Sequence, residues 1–369
     1  MTDKTKADWQ AAAQALKIDG RAFINGRSVN ALSGETRPTF SPADGREIAQ
    51  VAYCGIEDAE LAIASARAAF ESGVWSGMAP SDRKMIMVRW AELIEQHQDE
   101  LALLECLDVG KPIDNTLNID VGAAVRTIRW SGEAIDKVYD EIPPTPASSL
   151  ALVQRLPLGV VAAIVPWNFP LSTTAWKLAP ALATGNSVIL KPATNTPLTA
   201  LRIAQLAAEA GLPDGVLHVL PGSGGSLGKH LATHMDIDGL TFTGSTPVGQ
   251  LLMQYSGQSN LKRTFLELGG KSPNIIFADA NLEAAASMAA VAVFYNGGQT
   301  CTAGTRLIVE ESIRDQFLEM VIENAKGWMP GDPMDPATTM GPMIDSGQFD
   351  TVAEYVDIGR GEGAELVFG

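Results

Sequence analysis

The sequence predicts an α/β protein, with a parallel sheet and crossover helices in its larger part and a second α/β unit after it. Between residues 159 and 255, short apolar runs typical of buried strands alternate with helical segments. This alternation is characteristic of parallel strands that are joined by helices. It resumes near Leu266, and a length of 369 residues suits two domains or more. We expect one domain over 1–265 and a second over 266–369.

Helices and one hairpin are expected before this sheet. The chain opens with a polar, alanine-rich helix, and Asn25-Gly favours the tight turn of a short hairpin. Apolar residues then recur at helical spacing over 57–70, 80–107 and 115–138. Pro143-Pro-Thr-Pro interrupts the chain and ends this helical part.

Strands and helices alternate from that point on. The predicted strands cover 159–165, 187–191, 216–220, 239–243, 273–277 and 306–309, and the helices between them cover 197–210, 227–233, 247–255 and 282–294. In open α/β sheets, ligands bind where the carboxyl ends of the strands meet. The loops that follow the strands are therefore where functional residues are expected.

Composition and charge exclude several classes of function. With 27 Lys and Arg against 43 Asp and Glu, the formal net charge is −16, which disfavours nucleic acids and anionic membranes as partners. No apolar stretch approaches the ~18–20 residues of a membrane span, and the first residues do not resemble a signal peptide. Three cysteines are too few for a disulfide scaffold. We expect a cytoplasmic protein.

One of the three cysteines has the surroundings of a nucleophile. Cys54 follows a strand and Cys106 lies within a helix, and both are expected to be small, buried apolar residues. Cys301 instead lies in Tyr295-Asn-Gly-Gly-Gln-Thr-Cys-Thr-Ala-Gly-Thr, a polar, glycine-rich connection where the backbone can approach a ligand. A single cysteine in such a loop is a candidate catalytic nucleophile.

Four polar side chains occur in apolar surroundings, and each allows two interpretations. Asn168, in Pro166-Trp-Asn-Phe-Pro, either holds its own loop or donates to an oxyanion. Glu267, between two leucines and before paired glycines, either reaches solvent or acts as a general base. Lys177 and Lys191 either extend to solvent or bind a phosphate or hydroxyl group.

Two glycine-rich turns follow predicted strands. Gly244-Ser-Thr-Pro-Val-Gly opens a helix whose free N–H groups suit a phosphate, although a plain strand–helix turn has the same pattern. Gly222-Ser-Gly-Gly-Ser-Leu-Gly has the spacing G-x-G-x-x-x-G and does not meet the dinucleotide-binding fingerprint. Neither turn is decisive by itself.

Taken in chain order, these motifs resemble the NAD(P)-dependent aldehyde dehydrogenase superfamily. The resemblance is carried by Pro166-Trp-Asn-Phe-Pro, Trp176-Lys-Leu-Ala-Pro-Ala-Leu-Ala-Thr-Gly-Asn, Leu190-Lys-Pro, Phe242-Thr-Gly-Ser-Thr, Glu267-Leu-Gly-Gly-Lys-Ser and Gly298-Gln-Thr-Cys-Thr-Ala-Gly. It extends from about Phe23 to Gly369. It implies a Rossmann-like cofactor domain, a partial α/β catalytic domain and a β-hairpin oligomerisation arm near 142–157.

The resemblance implies a thioester mechanism. Cys301 would attack the aldehyde carbon, and Asn168 with the backbone N–H of Cys301 would hold the resulting oxyanion. After hydride transfer to the nicotinamide, Glu267 would activate the water that hydrolyses the thioester. Lys177 would lie near the nicotinamide ribose and assist orientation and proton movement.

The same resemblance implies NAD or NADP as the cofactor and no metal ion. Lys191 would hold a hydroxyl of the adenosine ribose, and Trp167 would lie along the cofactor. The other cofactor-binding residues expected are Val165, Pro166, Thr194, Gly224, Gly228, Phe242, Gly244, Ser245, Gly249, Leu268 and Gly269, of which Gly244, Ser245 and Gly249 match the pyrophosphate turn. The substrate-binding residues expected are Asp120, Phe169, Trp176 and Thr302.

One residue departs from the family motif at the cofactor site. The motif after the ribose-binding lysine commonly reads Lys-Pro-(Ser/Ala)-Glu, and here Thr194 replaces the glutamate. A carboxylate at this point binds both ribose hydroxyls and repels a 2′-phosphate. Its absence predicts weaker discrimination between the two cofactors and measurable use of NADP.

Finer matches resemble the bacterial aminoaldehyde branch, which acts on γ-glutamyl-γ-aminobutyraldehyde or 4-guanidinobutyraldehyde in polyamine catabolism. These matches are Leu103-Leu-Glu-Cys-Leu-Asp-Val-Gly-Lys-Pro-Ile, Ala134-Ile-Asp-Lys-Val-Tyr-Asp and Asp335-Pro-Ala-Thr-Thr-Met-Gly. Asp120 matches a position that lines the aldehyde tunnel, where a carboxylate would favour a cationic or amino-bearing aldehyde. The alternative is a solvated carboxylate on a helix.

The end of the chain carries a second departure. Superfamily members are longer, and this sequence stops at Gly369, within the expected catalytic domain. A Glu-Ile-Phe-Gly-Pro segment that holds the nicotinamide ribose and a late strand of the dimer contact would lie beyond it. Because a site displaced by ~1 Å can lose orders of magnitude in rate, we expect the chain alone to be poorly stable or inactive. The full-length form is expected to be a homodimer or homotetramer.

Three functions remain open on the sequence. The first is the aldehyde-oxidising enzyme, and the second is a CoA-acylating semialdehyde dehydrogenase, against which Glu267 in the position of the hydrolytic base argues. The third is an inactive cofactor-binding or interaction fragment. Reactive Cys301 that is protected by an aldehyde would favour the enzyme, whereas cofactor binding with an inert Cys301 would favour the fragment.

Overall fold

A seven-stranded sheet with helices on both faces forms the larger part of the computed structural model, which describes residues 4–369. The strands are β1 (Ala22–Ile24), β2 (Arg27–Val29), β3 (Thr36–Phe40), β4 (Glu47–Ala52), β5 (Val160–Ile164), β6 (Ser187–Lys191), β7 (Leu217–Val219), β8 (Gly239–Gly244), β9 (Arg263–Leu268), β10 (Pro273–Ile276) and β11 (Arg306–Val309). The α-helices are α1 (Lys6–Ala15), α2 (Ile56–Ser72), α3 (Pro80–Gln96), α4 (Gln98–Val109), α5 (Ile113–Asn115), α6 (Gly122–Ala134), α7 (Pro170–Ala183), α8 (Leu198–Ala210), α9 (Lys229–Thr233), α10 (Thr246–Gly257), α11 (Leu282–Phe294), α12 (Arg314–Ala325) and α13 (Ser346–Gly361).

The sheet order is β2-β1-β7-β6-β5-β8-β9, and the last five strands in this order are parallel. This confirms the predicted Rossmann-like α/β arrangement. The β1–β2 hairpin joins the edge of the sheet antiparallel to β7. Its turn residues Asn25 and Gly26 have φ of 51° and 76°, as a two-residue hairpin turn requires. Two smaller sheets pair β3 with β4 and β10 with β11.

Apolar layers cover both faces of the large sheet. One face packs against helices α3, α4, α6, α7 and α8, and the other packs against α2, α9 and α10. The parallel strands are therefore buried on both sides, which explains why they are continuous apolar runs in the sequence. Because the core fixes these strands, it also fixes the loops at their carboxyl ends.

Two of the predicted helices are interrupted. The helix expected over 80–107 is two helices, because His97 (φ −98°, ψ 22°) leaves the helical conformation between α3 and α4. The helix expected over 115–138 contains a π-helical stretch, Thr116–Val121, before α6. Such a stretch inserts an extra residue into the helix and often occurs at functional sites. The apolar spacing indicated helix in both places but gave no sign of the irregularities.

The predicted boundary between residues 265 and 266 falls inside β9. This strand pairs with β8 from Arg263 to Leu268, so the large sheet extends past that boundary. The arm expected near 142–157 contains one antiparallel bridge, between Glu141 and Val153, and most of its residues are exposed.

A buried histidine ties the β1–β2 hairpin to the sheet. The Nδ1 atom of His218 accepts the Asn25 backbone N–H at 3.3 Å, and Nε2 donates to the Gly215 carbonyl at 3.0 Å. These contacts require the neutral ring. Burial lowers the pKa of His218 from 6.5 to about 4.

The stability of the protein is therefore expected to fall in acid. Between about pH 6.5 and pH 4 the unfolded chain binds a proton at His218 and the folded chain does not, so the free energy of unfolding decreases as pH falls through this range. Between pH 7 and pH 5, we expect the wild-type chain to lose about 2 kcal/mol more than His218→Gln. Urea unfolding at both pH values measures this difference, and equal losses would contradict the prediction.

Candidate active site

Loops from four parallel strands meet at one edge of the sheet. In the register, Ile164 lies beside Lys191 and Phe242, and Gly244 lies beside Leu268. The predicted cofactor-binding residues that follow these strands therefore lie together, as expected for a ligand site at the carboxyl ends of parallel strands.

The loop that carries Cys301 has an unusual backbone. Asn296, Gly297 and Gly298 have φ of 53°, 62° and 76°, all in the left-handed region. Three successive residues of this kind turn the chain sharply after α11, which explains why the segment is rich in Gly and Asn. Cys301 lies just beyond this turn, free and partly exposed, whereas Cys54 and Cys106 are buried as predicted.

The Asn168 amide lies against the Cys301 loop. Its Nδ2 donates to the Gln299 carbonyl at 2.8 Å, and its own backbone carbonyl accepts the Asn296 amide at 3.0 Å. Gln299 is held in turn, because its Nε2 donates to the Asn296 carbonyl at 2.9 Å. The structure therefore brings together two segments that are 131 residues apart in the sequence.

Glu267 lies on the last part of β9 and its side chain is exposed. The leucines on either side of it in the sequence do not enclose it, because alternate residues of a strand point to opposite faces. The chain then turns toward the nucleophile, since a Cβ atom on Gly270 would lie 3.7 Å from the Cys301 carbonyl oxygen. The end of β9 is thus a direct neighbour of the Cys301 loop.

Lys177 extends from α7 to the sheet near Glu267. Its Nζ donates to the Thr241 hydroxyl at 3.0 Å, and the residue is buried. Burial lowers the pKa of Lys177 to about 8, and the Glu267 carboxylate acts in the opposite direction. An ammonium with this pKa can release and accept a proton near neutral pH.

Lys191 is a second buried lysine at the carboxyl end of a strand. Its Nζ donates to the Pro192 carbonyl at 2.9 Å, and burial lowers its pKa to about 8. A Cβ atom on Gly228 would lie 3.6 Å from its Cδ, so this glycine packs on the lysine stem. Thr194 is exposed, and its hydroxyl donates to the Gly222 carbonyl at 3.3 Å.

The turn between β8 and α10 is closely packed. A Cβ atom on Gly244 would lie 2.3 Å from the Phe242 ring, and one on Gly249 would lie 2.7 Å from Leu268. The side chain of Ser245, the N-cap residue of α10, makes no capping hydrogen bond. The first N–H groups of this helix therefore remain available to a ligand such as a phosphate.

The remaining predicted residues vary in exposure. Val165 is buried and its N–H donates to the Lys191 carbonyl at 3.2 Å. Phe169, which stacks on Tyr295, is half-buried, and so are Pro166 and Trp167. The exposed members of the set are Trp176, Gly224, Gly269 and Thr302.

Asp120 does not have the surroundings expected from the sequence. Its side chain is 0% exposed, and both of its carboxylate oxygens contact Lys111 Nζ, at 3.0 Å and 3.1 Å. It is therefore not a solvated helix residue. A carboxylate that is already paired in this way is also not free to pair with a cationic aldehyde, which contradicts the role predicted for Asp120.

Sequence reasoning did not identify the residues that surround Asp120. Glu105 and Lys111 are both buried in the same cluster, and Lys111 Nζ lies 3.7 Å from the centre of the Phe169 ring. The only signal was the presence of charged residues within otherwise apolar helical runs. Such residues are almost never fully buried unless they are paired.

Among residues 4–369, one group has the composition of a metal site, formed by Glu60, His230 and His234. The Nε2 atoms of His230 and His234 are 2.7 Å and 3.4 Å, respectively, from Glu60 Oε1. His234 Nδ1 accepts the Asp236 backbone N–H at 3.1 Å, which leaves the ring proton on Nε2. This tautomer explains the contact with Glu60 and does not suit a metal ligand. Over the same described range, no helix is both long and apolar enough to cross a membrane.

Comparison with known proteins shows the family of the chain. Residues 29–369 match the aldehyde dehydrogenase family. The NADP/NAD-dependent aldehyde dehydrogenase PuuC of Escherichia coli (strain K12) is 51% identical over 364 residues, which are 98% of this chain and 74% of PuuC.

Solved structures superpose closely on this chain. The γ-glutamyl-γ-aminobutyraldehyde dehydrogenase of Burkholderia cenocepacia J2315 is 53% identical with a TM-score of 0.96, over 97% of this chain and 73% of that one. The indole-3-acetaldehyde dehydrogenase AldA of P. syringae, in complex with NAD+ and IAA, is 57% identical with a TM-score of 0.98, over 99% of this chain and 74% of AldA. The chain belongs to the aldehyde dehydrogenase family and is an NAD(P)-dependent oxidoreductase that acts on aldehydes.

Proposed function

We propose that this protein oxidises an amino-bearing aldehyde to the carboxylic acid, through a thioester on Cys301. The observation that carries the proposal is the contact between Asn168 Nδ2 and the Gln299 carbonyl, at 2.8 Å. It places an amide donor beside the loop of a partly exposed cysteine. A thiol nucleophile next to such a donor is the arrangement that addition to a carbonyl requires.

In the first half of the reaction, the Cys301 thiolate forms a C–S bond to the aldehyde carbon. The carbonyl oxygen becomes an oxyanion, and the Asn168 amide with the Cys301 backbone N–H donates to it. The oxyanion then reforms its C=O bond as the hydride leaves the same carbon. The product of this half is a thioester on Cys301.

In the second half, Glu267 removes a proton from a water molecule that attacks the thioester carbon. The C–S bond breaks, the carboxylic acid leaves, and the Cys301 thiolate is restored, with the proton from the water on Glu267. The Glu267 carboxylate lies close enough to Lys177 to raise the pKa of its ammonium group, against the effect of burial. We propose that Lys177, in its neutral amine form, takes this proton from Glu267 and passes it to solvent, and that the Thr241 hydroxyl, which accepts from its Nζ at 3.0 Å, orients the amine.

The residues at the sheet edge fit a dinucleotide. The uncapped N–H groups of α10 would hold the pyrophosphate, and the buried Lys191 ammonium would hold a ribose hydroxyl. NAD(P)+ supplies the hydride acceptor when it is bound. Phe242, Leu268 and the glycines packed on them would shape the turn around it.

The similar structures are named for two classes of aldehyde. One similar structure is a γ-glutamyl-γ-aminobutyraldehyde dehydrogenase, whereas another is an indole-3-acetaldehyde dehydrogenase of comparable identity. The net charge of −16 favours the approach of a cation, which makes an amino-bearing aldehyde the better candidate. A cytoplasmic location and a homodimer or homotetramer stay predictions.

The proposal is tested by comparing three aldehydes under the same conditions. We expect kcat/KM to be higher for 4-guanidinobutyraldehyde than for either hexanal or indole-3-acetaldehyde. Product release as free acid without CoA distinguishes hydrolysis from acyl transfer to CoA. A preference for indole-3-acetaldehyde would contradict the substrate class, and cofactor binding with an inert Cys301 would favour the inactive fragment.

Thr194→Glu is expected to reduce the affinity for NADP by about 10-fold or more relative to NAD. The added carboxylate would repel a 2′-phosphate and accept hydrogen bonds from ribose hydroxyls. Quenching of tryptophan fluorescence measures the Kd of each cofactor without any turnover. Thr36→Glu, an exposed change on β3 and outside the expected cofactor- and substrate-binding residues, is the matched control. The prediction fails if wild-type protein does not bind NADP at millimolar concentration while it binds NAD.

A further inference from the structure

A buried ammonium group contacts the residue that follows Asn168. The Lys111 and Asp120 side chains are 1% and 0% exposed and form an ion pair. The same Lys111 Nζ lies 3.7 Å from the centre of the Phe169 ring. A cation at this distance is attracted by the face of an aromatic ring, and the attraction increases when water is excluded. Lys111 thus binds a carboxylate and an aromatic ring at once.

Phe169 connects this contact to the Cys301 loop. Its ring stacks on Tyr295 with a centroid distance of 6.1 Å and an interplanar angle of 27°. Phe169 follows Asn168 in the chain, and Tyr295 precedes Asn296, whose amide donates to the Asn168 carbonyl at 3.0 Å. The two stacked rings therefore flank the contact that joins the two catalytic segments.

The start of α7 is fixed by the same cluster. Glu105 accepts the Leu171 backbone N–H at 3.3 Å and the Thr199 hydroxyl at 2.9 Å. Ser172 donates its hydroxyl to Asp120 at 3.2 Å. Two buried carboxyl groups thus satisfy polar groups of the first turn of α7, which Asn168 and Phe169 precede directly.

The cluster contains two carboxyl groups and one ammonium group, so a proton on one carboxyl group makes its net charge zero. Burial and the Asp120 carboxylate raise the pKa of Glu105 to about 8, so Glu105 is largely neutral at pH 7. Asp120 is then the anion that Lys111 binds. The pair is a single cation and a single anion, held away from solvent.

Folding stability alone does not explain this pair. Replacing a buried ion pair by apolar residues of similar volume often leaves stability unchanged or increases it. The pair also constrains orientation. The ammonium group points toward Asp120, and the ring of Phe169 lies with its plane toward the ammonium group.

We propose that Lys111 is a positioning residue for aldehyde addition: held by Asp120, it fixes Phe169 and thereby the Asn168 amide beside Cys301. This inference rests on the proposed function, because it concerns the adduct at Cys301. A displaced Asn168 amide stabilises the oxyanion less, which weakens aldehyde addition without changing the thiol. A purely structural Lys111 would change stability and leave addition unaffected.

The test uses the full chain with the double substitution K111M/D120N, which removes both charges and leaves no unpaired buried ion. Aldehyde addition is measured as protection of Cys301 from iodoacetamide by 4-guanidinobutyraldehyde, which requires neither cofactor nor turnover. We expect the half-protecting aldehyde concentration to rise about 10-fold, approaching the value for Asn168→Ala. The rate of Cys301 alkylation without aldehyde should stay within about twofold of wild type, because the thiol itself is unchanged.

Two further variants separate positioning from folding. Phe169→Leu keeps the ion pair and removes the ring, and it should give the same loss of protection. Lys262→Met removes another buried ammonium, which donates to the Ala232 carbonyl at 2.7 Å, and should leave protection unchanged. Equal losses in Lys262→Met and K111M/D120N would overturn the proposal.

Fluorine NMR gives a readout that does not depend on the aldehyde. With 4-fluorophenylalanine introduced at position 169 alone, the wild-type chain should give one narrow resonance. K111M/D120N should shift or broaden it. Unchanged protection with an unchanged resonance refutes the positioning role. If no aldehyde protects the wild-type chain, the proposed function fails, while the resonance still decides whether Lys111 fixes Phe169.

Discussion

Cys301→Ala is expected to abolish aldehyde oxidation, with a loss of at least about 10³-fold in the formation of reduced cofactor. The thiolate is the group that forms the covalent bond, and alanine offers no substitute for it. The measurement is the absorbance of NAD(P)H with 4-guanidinobutyraldehyde as substrate. Iodoacetamide labelling followed by peptide mass analysis should show one fast-reacting thiol in the native wild-type chain and none in the variant.

Cys106→Ala is the matched control for this experiment. Cys106 is buried within α4, so its removal affects packing and not chemistry. We expect full labelling at Cys301 and normal oxidation per folded molecule in that variant. A folded wild-type chain that binds cofactor but whose Cys301 resists labelling would contradict the thiol mechanism.

Glu267→Gln is expected to separate the two halves of the reaction. Addition and hydride transfer do not require the carboxylate, whereas hydrolysis of the thioester does. The variant should release one equivalent of reduced cofactor and then stop, with steady turnover reduced by about 10²–10⁴-fold. Mass analysis should find the acyl group on the peptide that contains Cys301.

Glu283→Gln, on the exposed side of α11, controls for the loss of a charge. Its turnover should equal that of wild type. Undiminished steady turnover by Glu267→Gln would show that another group activates the water. Addition of CoA to the acylated variant tests the second function, because rapid release as acyl-CoA would favour the acylating enzyme.

The large sheet could be predicted from the sequence because its signals are local. Buried parallel strands are apolar runs, and the Asn25-Gly26 turn specifies a hairpin by backbone geometry alone. The break at His97 could not be predicted in this way, because residues on both sides of it are good helix formers. Its position depends on how α3 and α4 pack against other parts of the chain.

The candidate site could be predicted only in part, for a related reason. Cys301 and Asn168 lie in loops whose composition is unusual, so the sequence indicates both as candidate functional residues. In the sequence Asp120 cannot be distinguished from a solvated helix residue, and only the structure shows that Lys111 donates to its carboxylate. For Glu267 the sequence left two interpretations open, and the structure shows an exposed side chain because sequence neighbours on a strand are not spatial neighbours of its side chain.

The π-helical stretch at Thr116–Val121 makes this helix sensitive to the length of the chain. A helix turns by about 100° per residue, so the extra residue sets the rotation of everything that follows it. Deleting one residue there would regularise the turn and direct the Asp120 carboxylate away from Lys111. The number of residues in this segment is therefore constrained in addition to the side chains that it carries. A deletion of one residue would therefore disturb the catalytic loop although the deleted residue lies outside it.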